Sequence, residues 1–150
     1  MEFIEFLDRV EIEIIRIVEQ AGYSTEENTS LCLLSEKYAG FLIKREKKIV
    51  ICTDNAKNKV GYTNLRKRNS EKFDRTATHI KKALRHEAAH VAQECNEGNL
   101  LEIKKTLSLN PAKIRALSGS RKLSGENEKE KQAYILEDKP KLLKKELIKY

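Results

Sequence analysis

The stretch DRTATHIKKALRHEAAHVAQECN, residues 74–96, contains the most informative pattern in the chain. Its apolar side chains recur at steps of three and four residues, which is the spacing of one face of an α-helix. Gly98 suits the end of such a helix. The sequence therefore predicts a helix over these residues, and we assign its apolar face to the protein core. The residues of this face are Ala77, Ile80, Leu84, Ala88, Val91 and Cys95.

A different face of the same helix carries His86 and His90, which are four residues apart. At this spacing the two imidazoles project from one side of the helix about one turn apart, so both can bind the same metal ion. Glu87 lies beside the first histidine, where a carboxylate reaches a water on the metal and can act as a general base. The sequence therefore predicts a zinc site on this face. The alternative is a pair of surface histidines with an incidental glutamate.

The other predicted elements are shorter. Apolar residues at helical spacing indicate further helices, and two β-rich runs separated by charged residues indicate a hairpin. We expect one α+β domain over residues 1–150, mostly helical, with a small β-hairpin or sheet beside the helix 74–96. The other helices are expected at residues 3–21, 25–38, 111–117, 124–138 and 140–148, the hairpin strands at 41–43 and 49–53, and irregular chain at 54–70.

The composition is that of an ordinary soluble domain with a charged surface. Of the 150 residues, 39% are hydrophobic and 35% are charged, and no apolar stretch approaches the roughly 20 residues that span a bilayer. The N-terminus carries glutamates where an export signal carries basic residues. Cys32, Cys52 and Cys95 are far apart in apolar surroundings. These features predict reduced, buried thiols in a cytoplasmic protein without a membrane partner.

The formal charge of +7 raises the question of a nucleic-acid partner. The excess is mostly lysine, much of it after residue 100, where it is mixed with glutamate and lacks interleaved aromatic residues. A solvated surface explains this pattern. We therefore do not expect a specific nucleic-acid partner, and we keep one as an alternative.

The pattern HEAAH at residues 86–90 resembles the zinc-binding helix of the zincin metallopeptidases. The metzincin branch has a glycine three residues after the second histidine and a third histidine three residues further on. This chain has Gln93 and Asn96 at those positions. The resemblance is therefore to the gluzincin branch, whose third ligand is a glutamate on a later helix. It implies a small soluble metallopeptidase that holds one zinc ion and hydrolyses peptide bonds.

Residues 130–134, EKQAY, resemble the Glu-x-Glu/Gln-Ala-Asp segment of the CAAX-prenyl-protease and heat-shock-peptidase group of gluzincins. Carried across by position, Glu130 becomes the third zinc ligand beside His86 and His90. Tyr134 replaces an aspartate that supports a histidine in those relatives, and its hydroxyl could instead face the substrate. The glutamates that compete for the ligand role are Glu126, Glu128 and Glu137.

The resemblance implies that Glu87 takes a proton from a zinc-activated water and passes it to the leaving amine. Tyr134, His79 and Arg85 are candidates for stabilising the oxyanion, although an ordinary surface histidine also explains His79. Zincins pair an extended peptide with a strand beside the metal helix, and residues 49–53 are our candidate, equally compatible with a core strand. Two alternatives to a peptidase stay open: a non-catalytic zincin-fold protein, and a basic nucleic-acid-binding protein with an accidental motif. The substrate and the oligomeric state are left open.

Overall fold

The computed structural model describes residues 1–63, 71–103 and 127–150. The expected α+β class, mostly helical with a small sheet, is confirmed. None of the helices in these ranges is both long and apolar enough to cross a membrane. The α-helices are α1 (Arg9–Gln20), α2 (Thr53–Val60), α3 (Glu71–Cys95), α4 (Asn127–Leu136) and α5 (Pro140–Lys149), the 3-10 helices are Glu2–Phe6 and Ser30–Leu34, and the strands are β1 (Ser24–Glu27), β2 (Gly40–Ile43) and β3 (Lys48–Ile51).

Helix α3 lies at the centre of the fold, where it contacts the other α-helices and the strands β2 and β3. Ile80, Leu84, Ala88 and Val91 are fully buried on its core face. Cys95 is partly buried and packs against the same core, as predicted. Burial of this apolar face holds α3 in place, and a different face of the helix is left to carry the histidines.

The sheet has the strand order β1-β3-β2, with β1 parallel and β2 antiparallel to β3. The predicted hairpin is therefore confirmed as β2 and β3. The expectation that residues 49–53 offer an edge to a peptide is wrong, because β3 is the central strand and is paired on both sides. The edge strand beside α3 is β2, and its Gly40 allows a close approach. A Cβ at Gly40 would lie 3.1 Å from the Val50 carbonyl oxygen and 3.3 Å from Ala83 Cβ.

The helix expected at residues 25–38 is wrong. Strand β1 begins at Ser24 instead and pairs with β3. The carboxylate of Glu27, at the end of β1, accepts hydrogen bonds from the backbone N–H of Phe3 and from the hydroxyl of Thr53, each at 2.6 Å. These partners lie far from Glu27 along the chain, so the local pattern of residues 25–38 does not reveal them.

Other boundaries differ from the expectation for local reasons. The helix expected at residues 3–21 is interrupted, because Asp8 and Glu11 form a capping box that starts α1. Part of the segment 54–70, expected to be irregular, forms α2. The last two predicted helices are found as α4 and α5, although the first residues predicted for α4 lie outside the described ranges. The helix expected at 111–117 also lies outside them.

The cysteines do not match the expected set of reduced thiols. Cys32 and Cys52 form a disulfide, with their Cα atoms 5.6 Å apart, and Cys95 is free. The bridge joins the 3-10 helix that precedes β2 to the residue that follows β3. Disulfides persist in oxidising compartments, so this bridge removes the support that reduced thiols gave to a cytoplasmic location.

Loss of the bridge is expected to lower the free energy of unfolding by about 3 kcal/mol, because it joins residues 20 apart and so restricts the unfolded chain. Urea unfolding of Cys32→Ser/Cys52→Ser, with Cys95→Ser as the matched control, measures this loss. An equal effect of the two changes would contradict the prediction. So would alkylation of all the cysteines in the unfolded protein before any reductant is added.

Candidate metal centre

His86 and His90 project from α3 towards Glu130 on α4. One carboxylate oxygen of Glu130 lies 2.8 Å from Nε2 of His90, and the other lies 3.3 Å from Nε2 of His86. The two imidazole rings are 5.0 Å apart, centre to centre. Helices α3 and α4 therefore bring two imidazole nitrogens and one carboxylate to the same point.

The second ring nitrogen of each histidine is held by a side-chain oxygen. His86 Nδ1 donates to the carboxylate of Glu137 at 3.0 Å, and His90 Nδ1 donates to the amide oxygen of Gln93 at 2.9 Å. The direction follows from the acceptors, because an ionised carboxylate cannot donate and Gln93 uses its NH2 group on the Lys129 carbonyl oxygen. Each Nδ1 atom therefore carries a proton, and each Nε2 atom can offer a lone pair to a metal ion.

Gln93 is itself fixed by Gln132 of α4. Gln93 Nε2 donates to Gln132 Oε1 at 3.0 Å, and this oxygen also accepts from the Leu101 N–H at 2.9 Å. Gln132 Nε2 donates to the Leu101 carbonyl oxygen at 2.8 Å. Gln93 and Gln132 are only 1% and 7% exposed, so water competes little for these bonds. The hydrogen bonds thus run from the chain after α3, through α4, to the ring of His90 and orient it.

The charges of the cluster depend strongly on one another. Burial by itself lowers the pKa of His86, but the hydrogen bonds with Glu130 and Glu137 outweigh it and raise that pKa to about 10. Burial acts to raise the pKa of Glu130, while His86 and His90 hold it well below its usual range. Without a metal, His86 therefore carries a second proton, which it shares with a carboxylate. A divalent cation can replace this proton, because it supplies the positive charge that the carboxylates require.

Glu87 lies beside this cluster, and the ligand atoms of His86, Glu87 and His90 all lie within 4.8 Å of one another. Burial raises the pKa of Glu87, although the two histidines act in the opposite direction. Its Oε2 atom is buried and has no hydrogen-bond partner among the described residues. The carboxylate is thus close to both imidazoles, and one of its oxygens takes no part in the hydrogen bonds of the described residues. These properties suit a proton acceptor.

The cluster opens into a cavity of about 800 Å³ that is lined by residues of α3, α4 and β2. Tyr134 and His79 line this cavity, and the ring of Tyr134 lies 4.6 Å from that of His86, centre to centre. The guanidinium of Arg85 is directed elsewhere: it donates to a backbone carbonyl oxygen just after α4 at 2.7 Å and pairs with buried Glu11 at 3.5 Å. Of the three oxyanion candidates, only Tyr134 and His79 therefore border the cavity.

His79 is expected to stay neutral at neutral pH. Partial burial lowers its pKa from 6.5, and the positive charges of Lys59, Lys82 and Arg75 lower it further. The unfolded chain therefore binds this proton at a higher pH than the folded protein, so the stability that depends on neutral His79 is present above pH 6.5 and is lost as the pH falls.

An NMR titration of the His79 imidazole should give a midpoint below 6.5, and Lys59→Gln should raise that midpoint. The same change at Lys145, an exposed residue of α5, should leave it where it is. A midpoint at 6.5 or above in the wild-type protein would contradict the lowered pKa of His79, and a midpoint that Lys59→Gln leaves unchanged would show that the charge of Lys59 does not act on this ring.

The glutamates that compete for the ligand role occupy different places in the structure. Among the glutamates that the structure describes, Glu130 contacts both histidines through Nε2. Glu137 contacts Nδ1 of His86. This is the supporting role that the resemblance assigns to the position of Tyr134. Glu128 is exposed, and Glu126 lies outside the described residues.

The roles of Gln93 and Gln132 are not predicted from the sequence. There Gln93 stands out only because it occupies the position at which metzincins have a glycine. The available signal was spacing, because Gln93 follows His90 by three residues and so shares its side of the helix. For Gln132 the contact with Leu101 joins residues 31 apart, which no local pattern indicates.

A family model described as "Domain of unknown function (DUF8637)" matches residues 3–150 of the chain. The match includes every residue of the cluster. No curated protein and no solved structure matches the chain significantly.

Proposed function

We propose that this chain, which belongs to the family of the domain of unknown function DUF8637, is a zinc-dependent peptidase with Glu87 as its general base. The observation that carries the proposal is the approach of His86 Nε2 and His90 Nε2 to the two oxygens of Glu130. Two imidazoles and one glutamate form the protein ligand set of one class of catalytic zinc site, which keeps a further position for water or substrate. The resemblance of HEAAH to the zincin motif supports the same reaction.

The residues fit a zinc ion in their protonation and orientation. The acceptors at Glu137 and Gln93 keep the Nδ1 protons of both histidines, so that the Nε2 lone pairs are available to a metal. The lowered pKa of Glu130 keeps its carboxylate ionised, as a ligand must be. The buried Oε2 of Glu87, which has no partner in the described part of the chain, is accounted for if it acts on a water at the metal.

Bound zinc would supply the Lewis acidity of the reaction, since it lowers the pKa of a water molecule and polarises the substrate carbonyl. Glu87 would accept the proton of the attacking water and later pass it to the leaving amine. Its raised pKa suits both transfers, because a group with a pKa nearer to neutral can take a proton and release it again. Glu137 and Gln93 would hold the imidazoles in position throughout. Tyr134, at the wall of the cavity, is a candidate for stabilising the oxyanion.

Strand β2 offers a place for an extended peptide. It pairs with β3 on one side, and no other strand in the described ranges pairs with its second side. Phe41 and Leu42 of β2 line the same cavity as His86 and His90. A peptide that added to this edge would be held by backbone hydrogen bonds next to the histidines, with specificity set by its side chains.

Zinc content and peptide cleavage test the proposal together. We expect about one zinc ion per chain after purification without chelators, which is the stoichiometry of a single catalytic site. We also expect cleavage of a proteome-derived peptide mixture that stops when a chelator is added and returns when zinc is restored. Absence of stoichiometric zinc would overturn the proposed site.

The alternatives predict different outcomes of the same experiment. Retained zinc without any cleavage would indicate a non-catalytic zinc-binding protein. Nucleic-acid binding that falls steeply with salt, and that neither a chelator nor His86→Ala changes, would indicate the basic nucleic-acid-binding protein.

A further inference from the structure

The two ends of the cavity can be distinguished from the way β2 lies along α3. Gly40 at the start of β2 lies against Ala83, and Lys44 just after β2 pairs with Glu94 at 3.1 Å. The strand and the helix therefore run side by side in the same direction. The cavity that they line has one end before the metal cluster, along the course of α3, and one end after it.

One end of the cavity lies before the cluster along the course of α3, and it is lined by three lysines and a histidine. His79 and Lys82 come from α3, Lys59 comes from α2, and Lys37 comes from the loop that precedes β2. Asn55 brings this loop to α2, because its side-chain amide donates at 2.9 Å to the backbone carbonyl oxygen of the residue after Lys37. Asn55 lies one turn before Lys59 on the same helix. Three separate elements thus direct positive charge to one end of the cavity.

These lysines have little counter-charge nearby. In the described part of the chain neither Lys37 nor Lys59 has a carboxylate partner, and Lys82 reaches Asp138 at 4.0 Å. Burial lowers the pKa of His79, and the positive charges of Lys59 and Lys82 lower it further, which places both lysines near this ring. Within residues 1–63, 71–103 and 127–150, the carboxylates that line the cavity are Glu87, Glu130 and Glu137, which all belong to the cluster.

We propose that this end of the cavity is a subsite for an aspartate or glutamate side chain of the peptide substrate. The inference rests on the proposed peptidase function and names its substrate class. His79 precedes His86 by seven residues, which is about 10 Å along the helix. An extended peptide advances about 3.3 Å per residue, so the acidic side chain lies about three positions from the bond that is cleaved. There its carboxylate accepts charge-assisted hydrogen bonds from the lysine ammonium groups.

The three carboxylates of the cluster decide between a peptide and a nucleic acid as the anionic ligand. A phosphate backbone carries a charge at every nucleotide, so a strand that entered the basic end would place further phosphates against Glu87, Glu130 and Glu137, whose three carboxylates outnumber the two positive charges of a bound zinc ion. A peptide can present one acidic side chain to the lysines and a neutral backbone to the cluster. The distribution of charge along the cavity therefore favours a peptide.

Cleavage specificity tests the subsite directly. The zinc-loaded protein is incubated with a proteome-derived peptide mixture, and the cleaved bonds are identified by mass spectrometry. We expect aspartate and glutamate to be enriched about three positions from the bond on one side. The double variant Lys59→Gln/Lys82→Gln should lose this enrichment, whereas Lys141→Gln/Lys145→Gln, which removes the same charge from exposed positions of α5, should keep it. Cleavage without acidic enrichment, or enrichment that the first pair does not change, overturns the subsite and leaves the peptidase standing.

A binding measurement decides the subsite even if nothing is cleaved. Fluorescence anisotropy compares a labelled peptide in which glutamate alternates with alanine with its glutamine counterpart. We expect the glutamate peptide to bind about tenfold more tightly, the effect of one or two charge-assisted hydrogen bonds. Lys59→Gln/Lys82→Gln should remove this difference and Lys141→Gln/Lys145→Gln should not. Equal loss in both double variants would mean that only the overall charge attracts the peptide, and the subsite would be rejected. A complete absence of cleavage instead removes the peptidase proposal.

Discussion

The variant Glu87→Gln is expected to lower the turnover of peptide substrates about 1000-fold, within the range that a general base contributes, while zinc stays bound. The amide keeps the size of the side chain but cannot accept a proton from the attacking water. Zinc should remain, because the proposed ligands are His86, His90 and Glu130. Turnover is measured on a peptide that the wild-type protein cleaves, and zinc is measured on the same samples.

Two controls separate chemistry from folding in this experiment. Glu71→Gln makes the same change at an exposed position of α3 and should leave turnover unchanged. The thermal stability of Glu87→Gln should not fall, because burial already disfavours the charge on this carboxylate. Wild-type turnover in Glu87→Gln would exclude Glu87 as the base. Loss of zinc together with turnover would instead assign the carboxylate to the metal itself.

Replacing Glu130 with glutamine is expected to weaken zinc binding about 1000-fold, because the change removes the anionic ligand and leaves two imidazoles. The loss should exceed the 10- to 100-fold, roughly, that partners of metal ligands contribute. Affinity is measured by competition with a chelating dye at a fixed pH, since the ligands must lose protons to bind zinc.

The other glutamates of the segment give the matched series for this measurement. Glu137→Gln should weaken zinc binding about 10- to 100-fold, because Glu137 orients His86 without touching the Nε2 atom that would bind the metal. Glu128→Gln, at an exposed position of helix α4, should have no effect on zinc binding. The expected order of loss is thus Glu130, Glu137, Glu128. A larger loss in Glu137→Gln or in Glu126→Gln than in Glu130→Gln would assign the third ligand to that residue.

The features that the sequence predicts well depend on short-range periodicity. The apolar stripe through Leu84 and Ala88 predicts α3, because burial of one helical face leaves a pattern that repeats within a few residues. The spacing of His86 and His90 places both rings on one side of that helix for the same reason. The proximity of Glu130 to the histidines is predicted from the resemblance of residues 130–134 to a gluzincin segment. In the structure its carboxylate lies next to both imidazole rings.

The failures concern contacts between residues that are distant along the chain. Residues 25–38 have an apolar content compatible with a weak helix, yet the pairing of β1 with β3 and the bonds to Glu27 override that local preference. The expectation of free thiols at Cys32 and Cys52 rests on their separation in sequence. The hairpin brings the two residues together in space, where they form the disulfide. The central place of β3 in the sheet depends on β1 as well, so a predicted hairpin alone does not indicate which strand keeps an edge.

The double contact of Gln132 with the backbone of Leu101 provides a native reporter of the cluster. It ties Leu101 to helix α4 through hydrogen bonds of 2.9 and 2.8 Å. Glu130, the proposed third ligand, lies on the same helix two residues before Gln132. Because the Leu101 N–H donates to Gln132, its hydrogen exchanges with solvent when this contact opens. The exchange rate of one backbone amide therefore follows the docking of the helix that carries Glu130.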